Sequence, residues 1–242
     1  MNQIIHGDCL EVMPTLPDKS IDMILCDLPY GTTACKWDTV IPFEPLWLQY
    51  KRLIKDNGAI VLTASQPFAS ALIMSNPDMF KYEWIWDKRL PSGFQVAKYR
   101  PMQRHENIIV FATGTPNYNP IMTEQKPRTG KVYSKSDSSP LKYDDGILKN
   151  YDKKNPQSII EFYKRDAGML HPTQKPVALF GYLIETYTNE GETVLDNCAG
   201  SGTTAIACLN TNRNYILIEK EKEYIDIINN RIAEHEQQLS IV

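Results

Sequence analysis

The chain has 242 residues, 42% of them hydrophobic, enough for one sizeable core and a small appended lobe. A net charge of −3 excludes a generally basic nucleic-acid coat, so any grip on phosphate has to be local. Five cysteines without a C-x-x-C pair suggest neither a disulfide framework nor a metal site, and the lack of a leader or a long apolar run predicts a cytoplasmic protein with no membrane partner.

Ile4 to Leu10 reads as a short strand closing on Gly7-Asp8, followed by a helix through Met13 that Asp8 is placed to cap. Next comes an apolar run from Ile21 that stops abruptly at Asp27-Leu28-Pro29-Tyr30-Gly31, as a buried strand does where it empties into a loop. Ligands of open α/β sheets collect at the carboxyl ends of strands, which puts Asp27 and Tyr30 where chemistry is done. The stretch suits a flat heterocycle carrying an exocyclic amine, whose lone pair is delocalised into the ring. Asp27 and a main-chain carbonyl beside Pro29 can each accept one N–H, favouring the pyramidal amine and freeing that lone pair. Pro29 stiffens the turn, and Tyr30 offers a stacking face worth roughly 1–3 kcal/mol.

Phe43 to Lys55 has the apolar spacing of a helix stopped by Asn57-Gly58; Ala59 to Ala64 follows as a buried strand and Pro67 to Met74 as a second helix. This alternation predicts parallel strands with helical crossovers. Tyr82 to Lys88 and Glu106 to Phe111 read as further strands. The stretch between them is rich in cations with interleaved aromatics, and Lys88, Arg89, Lys98, Arg100 and Arg104 are candidates for tracking a nucleic-acid backbone. From about Thr113 to Leu170 periodicity disappears, predicting an irregular insertion rather than a second packed domain. His171-Pro172-Thr173-Gln174-Lys175-Pro176 closes it and leads into a helix from Val177 to Tyr187.

Thr193 to Asp196 is a strand, Asn197 to Thr204 a glycine-rich turn containing Cys198, Gly200, Gly202 and Thr203, and a helix follows. Tyr215 to Ile218 is the next strand, ending at Glu219, which is placed to grip a ribose diol. A strand, turn, helix and strand ending in an acid point to an adenosine-containing cofactor. Gly200-x-Gly202-x-x-Ala205 also satisfies the relaxed dinucleotide fingerprint. Against a dinucleotide, Asp196 would repel a pyrophosphate but suits a zwitterionic methionine, and the Asp27 clamp has no use in hydride transfer. The remaining residues read as a surface helix with an apolar stripe.

Asp27-Leu28-Pro29-Tyr30 resembles the Asp-Pro-Pro-Tyr motif of the amino-group DNA methyltransferases, with Leu28 in place of the first proline. Asp196-Asn197-Cys198-Ala199-Gly200-Ser201-Gly202 is similar to that family's Asp-Pro-Phe-x-Gly-x-Gly, with Cys198 replacing the phenylalanine. The order, base clamp before cofactor loop, matches the beta subgroup. The resemblance implies an α/β, Rossmann-like methyltransferase fold with a mixed, mostly parallel sheet. Residues 1–112 and 171–242 would be the catalytic domain and 113–170 an irregular target-recognition insertion. It implies S-adenosyl-L-methionine as cofactor, held by Asp8 and Cys9 beside its adenine, by His171 and Thr173 along its methionine, and by Asp196, Cys198, Gly200, Gly202, Thr203 and Glu219. Catalysis would fall to Asp27, Pro29 and Tyr30 acting on a base flipped out of double-stranded DNA. No metal and no covalent intermediate are expected, and Cys26, lacking the Pro-Cys setting of a cysteine nucleophile, reads as strand packing. Asp at position 27 tilts the family expectation toward adenine N6; cytosine N4, a noncatalytic nucleic-acid-binding module and an oxidoreductase are the rivals. The resemblance leaves room for a homodimer and for a cognate restriction endonuclease.

Overall fold

The computed structural model describes residues 2–32, 38–134, 142–163 and 174–239, with side chains described at all of these except 131–134, 142–149 and 239. The main unit comprises Met1–Asn119 and Ser158–Val242. Its centre is an eight-stranded sheet built from β1 (Gln3–His6), β2 (Ile21–Cys26), β3 (Ile54–Ala64), β4 (Phe80–Ser92), β5 (Gln103–Phe111), β8 (Ile159–Glu161), β9 (Thr193–Asp196) and β10 (Asn214–Glu219). The order is β1-β10-β9-β2-β3-β5-β4-β8. From β1 to β3 every pairing is parallel; β5 runs antiparallel between β3 and β4, and β8 is parallel to β4. This is the mixed, mostly parallel sheet that the resemblance implies.

β2 is buried at all six positions because both faces of the sheet are covered. Its side chains alternate between two cores. Ile24 and Cys26 join Leu46, Tyr50, Leu62, Phe68 and Leu72 under α2 (Phe43–Leu53) and α3 (Phe68–Ser75). Met23 and Leu25 join Leu179, Leu183, Tyr187, Ala205 and Ile228 under α4 (Val177–Tyr187), α5 (Thr203–Asn210) and α6 (Lys222–Leu239). The expected helix stop at Asn57-Gly58 is not one. α2 ends at Leu53, and Ile54, fully buried and paired with Ile21, already begins β3. Gly58 is a strand residue whose missing side chain admits the Asp22 carbonyl, 2.7 Å from where a Cβ would stand.

Residues Pro120–Gln157 form a second compact unit. It is an antiparallel hairpin of β6 (Thr123–Ser134) and β7 (Lys142–Lys154), with Thr129 opposite Asn150. The expectation of an irregular stretch is corrected here. Thr-Glu-Gln-Lys-Pro-Arg-Thr-Gly has no apolar face to alternate, so strand periodicity, which reports burial on one side, had nothing to report. Asn119 and β8 belong with the main unit, so the hairpin is narrower than 113–170.

Candidate active site

The strand order supplies the site. From β9 the chain passes through α5 to β10 on one side, whereas from β2 it passes through α2 to β3 on the other. β9 and β2 therefore part at a topological switch point, where ligands bind beyond the carboxyl ends. Met23 pairs with Val194 and Ile24 with Leu195, so the loops that start at Asp27 and Asn197 leave the sheet side by side. A cavity of about 460 Å³ opens there, within the size of small-molecule sites. Asp27, Pro29 and Tyr30 line it together with Asp8, Cys9, Asp196, Cys198, Gly200, Thr203 and Glu219. Gly202 is not among its lining residues. It caps α5 at φ 79°, with Ile228 2.9 Å from where its Cβ would be. His171 and Thr173 lie outside the described residues.

Asp27 is held from three sides. Its Oδ1 accepts from the Tyr30 hydroxyl at 2.6 Å and from the Thr63 hydroxyl, and its Oδ2 accepts from Lys175 Nζ at 2.6 Å. A carboxylate offers about four acceptor positions, so these three donors leave about one for a ligand N–H. Tyr30 is backed by Phe68, with ring centroids 5.2 Å apart. Lys175 is buried and also lies 3.5 Å from Glu106 Oε2, while Lys88 Nζ lies 3.2 Å from Glu106 Oε1. Burial works against the Lys175 ammonium, but the Asp27 and Glu106 carboxylates outweigh it and leave it more basic than an ordinary lysine. Glu106 and Trp86, opposite each other on β5 and β4, complete this wall of the cavity.

Lys175, Thr63, Glu106 and Trp86 escaped the sequence reading as site residues. The one sequence signal for any of them is the Thr-Gln-Lys-Pro segment, which carries Lys175.

The glycine turn forms the other half. Asp196 accepts from the Thr204 hydroxyl and from the Cys198 amide at 3.1 Å. Burial pushes its carboxyl up to about 6 against those hydrogen bonds, with the Asp27 charge adding to the rise. Glu219 accepts from the Gly200 amide at 2.7 Å and the Glu221 amide at 2.8 Å, and burial raises it as well. A Cβ on Gly200 would meet nothing within 4 Å, so the turn presents bare backbone to the cavity. Asp8 caps the four-residue α1 (Cys9–Val12) through the Leu10 amide at 3.0 Å and meets Lys220 Nζ at 3.1 Å. Acids at both adjoining strand ends, with exposed backbone between them, fit a ligand carrying hydroxyls and a cationic amine. Cys26 is fully buried, and burial pushes its thiol up to about 12, which leaves it inert as a nucleophile.

The two strands reach into the cation-rich segment from both sides, with Ser92 opposite Gln103 as the last pair, and leave residues 93–102 outside the sheet. Lys88 is withdrawn from the phosphate candidates: it is 2% exposed and spent on Glu106. Arg89 pairs with Glu161 and lies over the Tyr163 ring, and Arg104 Nε donates to Asp87 at 2.8 Å. Lys98 and Arg100 are exposed, with no carboxylate paired to them among the described residues. Among those residues no helix is long and apolar enough to cross a membrane, and no group of three His, Cys, Asp or Glu side chains could hold a metal ion.

Fold and cavity together define a Rossmann-like methyltransferase. Residues 21–230 match the family model described as DNA methylase, which covers the N6/N4 amino-methyltransferases, and the chain belongs to that family. It is 28% identical to the type II methyltransferase M.HpaI of Haemophilus parainfluenzae over 95% of this chain and 74% of that one. To the DNA adenine methyltransferase YhdJ of Escherichia coli it is 29% identical over 92% and 79%. The crystal structure of an M1.HpyAVI–SAM complex superposes with a TM-score of 0.64 at 26% identity, covering 96% of this chain and all of that one. The cytosine-N4-specific PvuII methyltransferase shares the fold at 16% identity, with a TM-score of 0.65 over 95% of this chain and 86% of that one. The protein is thus a DNA methyltransferase of the N6/N4 class.

Proposed function

We propose that the protein transfers a methyl group from S-adenosyl-L-methionine to N6 of an adenine flipped out of double-stranded DNA. The observation that carries this reading is one cavity lined by both Asp27 and the Gly200 turn, whose residues lie more than 170 positions apart in the chain. When bound, the cofactor would supply an electrophilic methyl group on a sulfonium. Glu219 is suited to its ribose hydroxyls, Asp196 to its cationic methionine end, and Asp8 and Cys9 to its adenine edge. On the base side, Asp27 keeps about one acceptor position for an amine proton, and the main chain at Pro29 supplies a second. Tyr30, fixed by Phe68 and by its bond to Asp27, forms a firm wall for the ring. Catalysis by such a site rests on positioning and hydrogen bonding. Asp at position 27 and the likeness to YhdJ support adenine over cytosine. The hairpin of residues 120–157 takes the role of sequence reader, and double-stranded DNA is the partner.

The test is incubation with labelled S-adenosylmethionine and unmethylated DNA of diverse sequence, followed by nucleoside mass spectrometry. N6-methyladenine is expected. N4-methylcytosine would overturn the choice of base, and unmodified DNA would favour a noncatalytic binding module.

A further inference from the structure

The segment joining β4 to β5 exposes far more apolar surface than a solvated loop has reason to. Phe94 is 78% exposed and Tyr99 82%, Met102 is exposed further along, and Leu90, near the end of β4, is 53% exposed. Isolated exposed apolar side chains are ordinary, but a run of large ones marks a binding surface. Lys98 and Arg100 are interleaved with them, a composition that matches a polyanion with an apolar interior.

Topology places this segment at the mouth of the cavity. β5 is antiparallel to β3 and to β4, so the end of β4 and the start of β5 lie at the carboxyl edge of β3. Trp86 and Glu106, paired across the two strands, line the cavity, and the hairpin runs on past them to Ser92 and Gln103. Gln103 Nε2 then reaches Ser65 Oγ at 3.3 Å, two residues beyond Thr63, which holds Asp27. Phe94 follows at once, at the start of a short 3-10 turn.

We propose that Phe94 is a wedge, a positioning residue that enters the base stack of duplex DNA at the place a target base has left, while Lys98 and Arg100 hold the flanking phosphates. This rests on the base-flipping reading above and deepens it. A base leaving the stack costs stacking and pairing free energy, and apolar side chains inserted between base steps offset that cost in proteins that distort DNA. Of the two aromatic rings, Phe94 is the one without a hydroxyl to desolvate. Tyr99, with Lys98 Nζ 6.0 Å from its ring centroid, suits the sugar–phosphate rim.

The experiment uses the full chain and short duplexes carrying whichever sequence the wild type methylates on phage DNA. Each duplex is made in two forms, with the target base paired or placed opposite an abasic site so that it is already loose. Phe94→Ala is expected to lower kcat/KM at least about tenfold on the paired form and to leave the loosened form nearly unchanged. Phe94→Leu, which keeps an apolar wedge, is expected to retain most of the activity on both. Equal loss on the two forms, or no loss on the paired one, overturns the wedge while leaving the methyltransferase reading intact. A wild type that methylates no DNA overturns both.

Discussion

Lys175 is the side chain on which the most charge converges. It stands between Asp27 and Glu106, and all three are largely buried. Removing one partner of a buried pair strands the other, at a cost of about 3–5 kcal/mol. Lys175→Met is therefore expected to lower stability by about that much in urea melts at pH 7, and Asp27→Asn in the same chain to recover part of it, because Asp27 is the carboxylate left stranded while Glu106 keeps Lys88. A double variant no more stable than Lys175→Met would contradict the pairing of Lys175 with Asp27. Asp196 makes a prediction of opposite character. Its folded pKa of about 6 exceeds the ordinary value near 3.9, so its contribution to stability is complete below about pH 4 and is lost as pH rises through 6. The loss is about 3 kcal/mol. Measured against Asp196→Asn, which does not titrate, the wild type is expected to lose that advantage between pH 4 and 7; a difference flat with pH would refute the burial argument. The charged form that folding disfavours is the form that the proposed contact with a cationic methionine end requires. Asp27 and Tyr30 were legible in the sequence because they lie three residues apart at a strand end. Lys175 and Thr63 were not, being 148 and 36 residues from Asp27 in the chain. The burial of Lys88 is legible too: the alternation that predicts its strand sets it on the buried face with Trp84 and Trp86.

At the scale of elements, the turn from β9 into α5 separates folding from binding within three residues. Gly200 and Gly202 both have positive φ, 50° and 79°, so a side chain at either costs about 1–2 kcal/mol in backbone strain. Their surroundings differ. A methyl at Gly202 would collide with Ile228 of α6, whereas one at Gly200 would meet no protein atom within 4 Å, at a residue that lines the cavity. Gly202→Ala is expected to lower the melting temperature more than Gly200→Ala, and Gly200→Ala to weaken S-adenosylmethionine binding more than its stability loss accounts for. Thermal melts with and without the ligand read both; equal behaviour of the two variants would mean that the turn does not face a ligand. The same turn was legible as a sequence because glycine, strand and helix signals coincide there. The hairpin of β6 and β7 was not, since β6 opens with eight residues, Thr123 to Gly130, that carry no alternation in hydrophobicity.

For the molecule as a whole, a net charge of −3 means that DNA has to be held by a local set of cations against a field that mildly repels it. Much of the cationic edge is already neutralised: Arg89 by Glu161, Arg104 by Asp87, Lys88 by Glu106. Lys98 and Arg100 are exposed without a carboxylate paired to them among the described residues; they flank Tyr99 and follow Phe94 in the β4–β5 segment. Each phosphate contact removed from a duplex complex reduces the magnitude of the slope of log Kobs against log salt by about 0.9. Lys98→Gln with Arg100→Gln is accordingly expected to flatten that slope by nearly 2 on mixed-sequence duplex DNA, measured by fluorescence anisotropy between low and moderate salt. Arg104→Gln is expected to change it less, because the charge it removes is one that Asp87 has largely cancelled. If the double variant kept the wild-type slope, phosphate would be held elsewhere, and the β4–β5 edge would lose its place as the face that meets DNA.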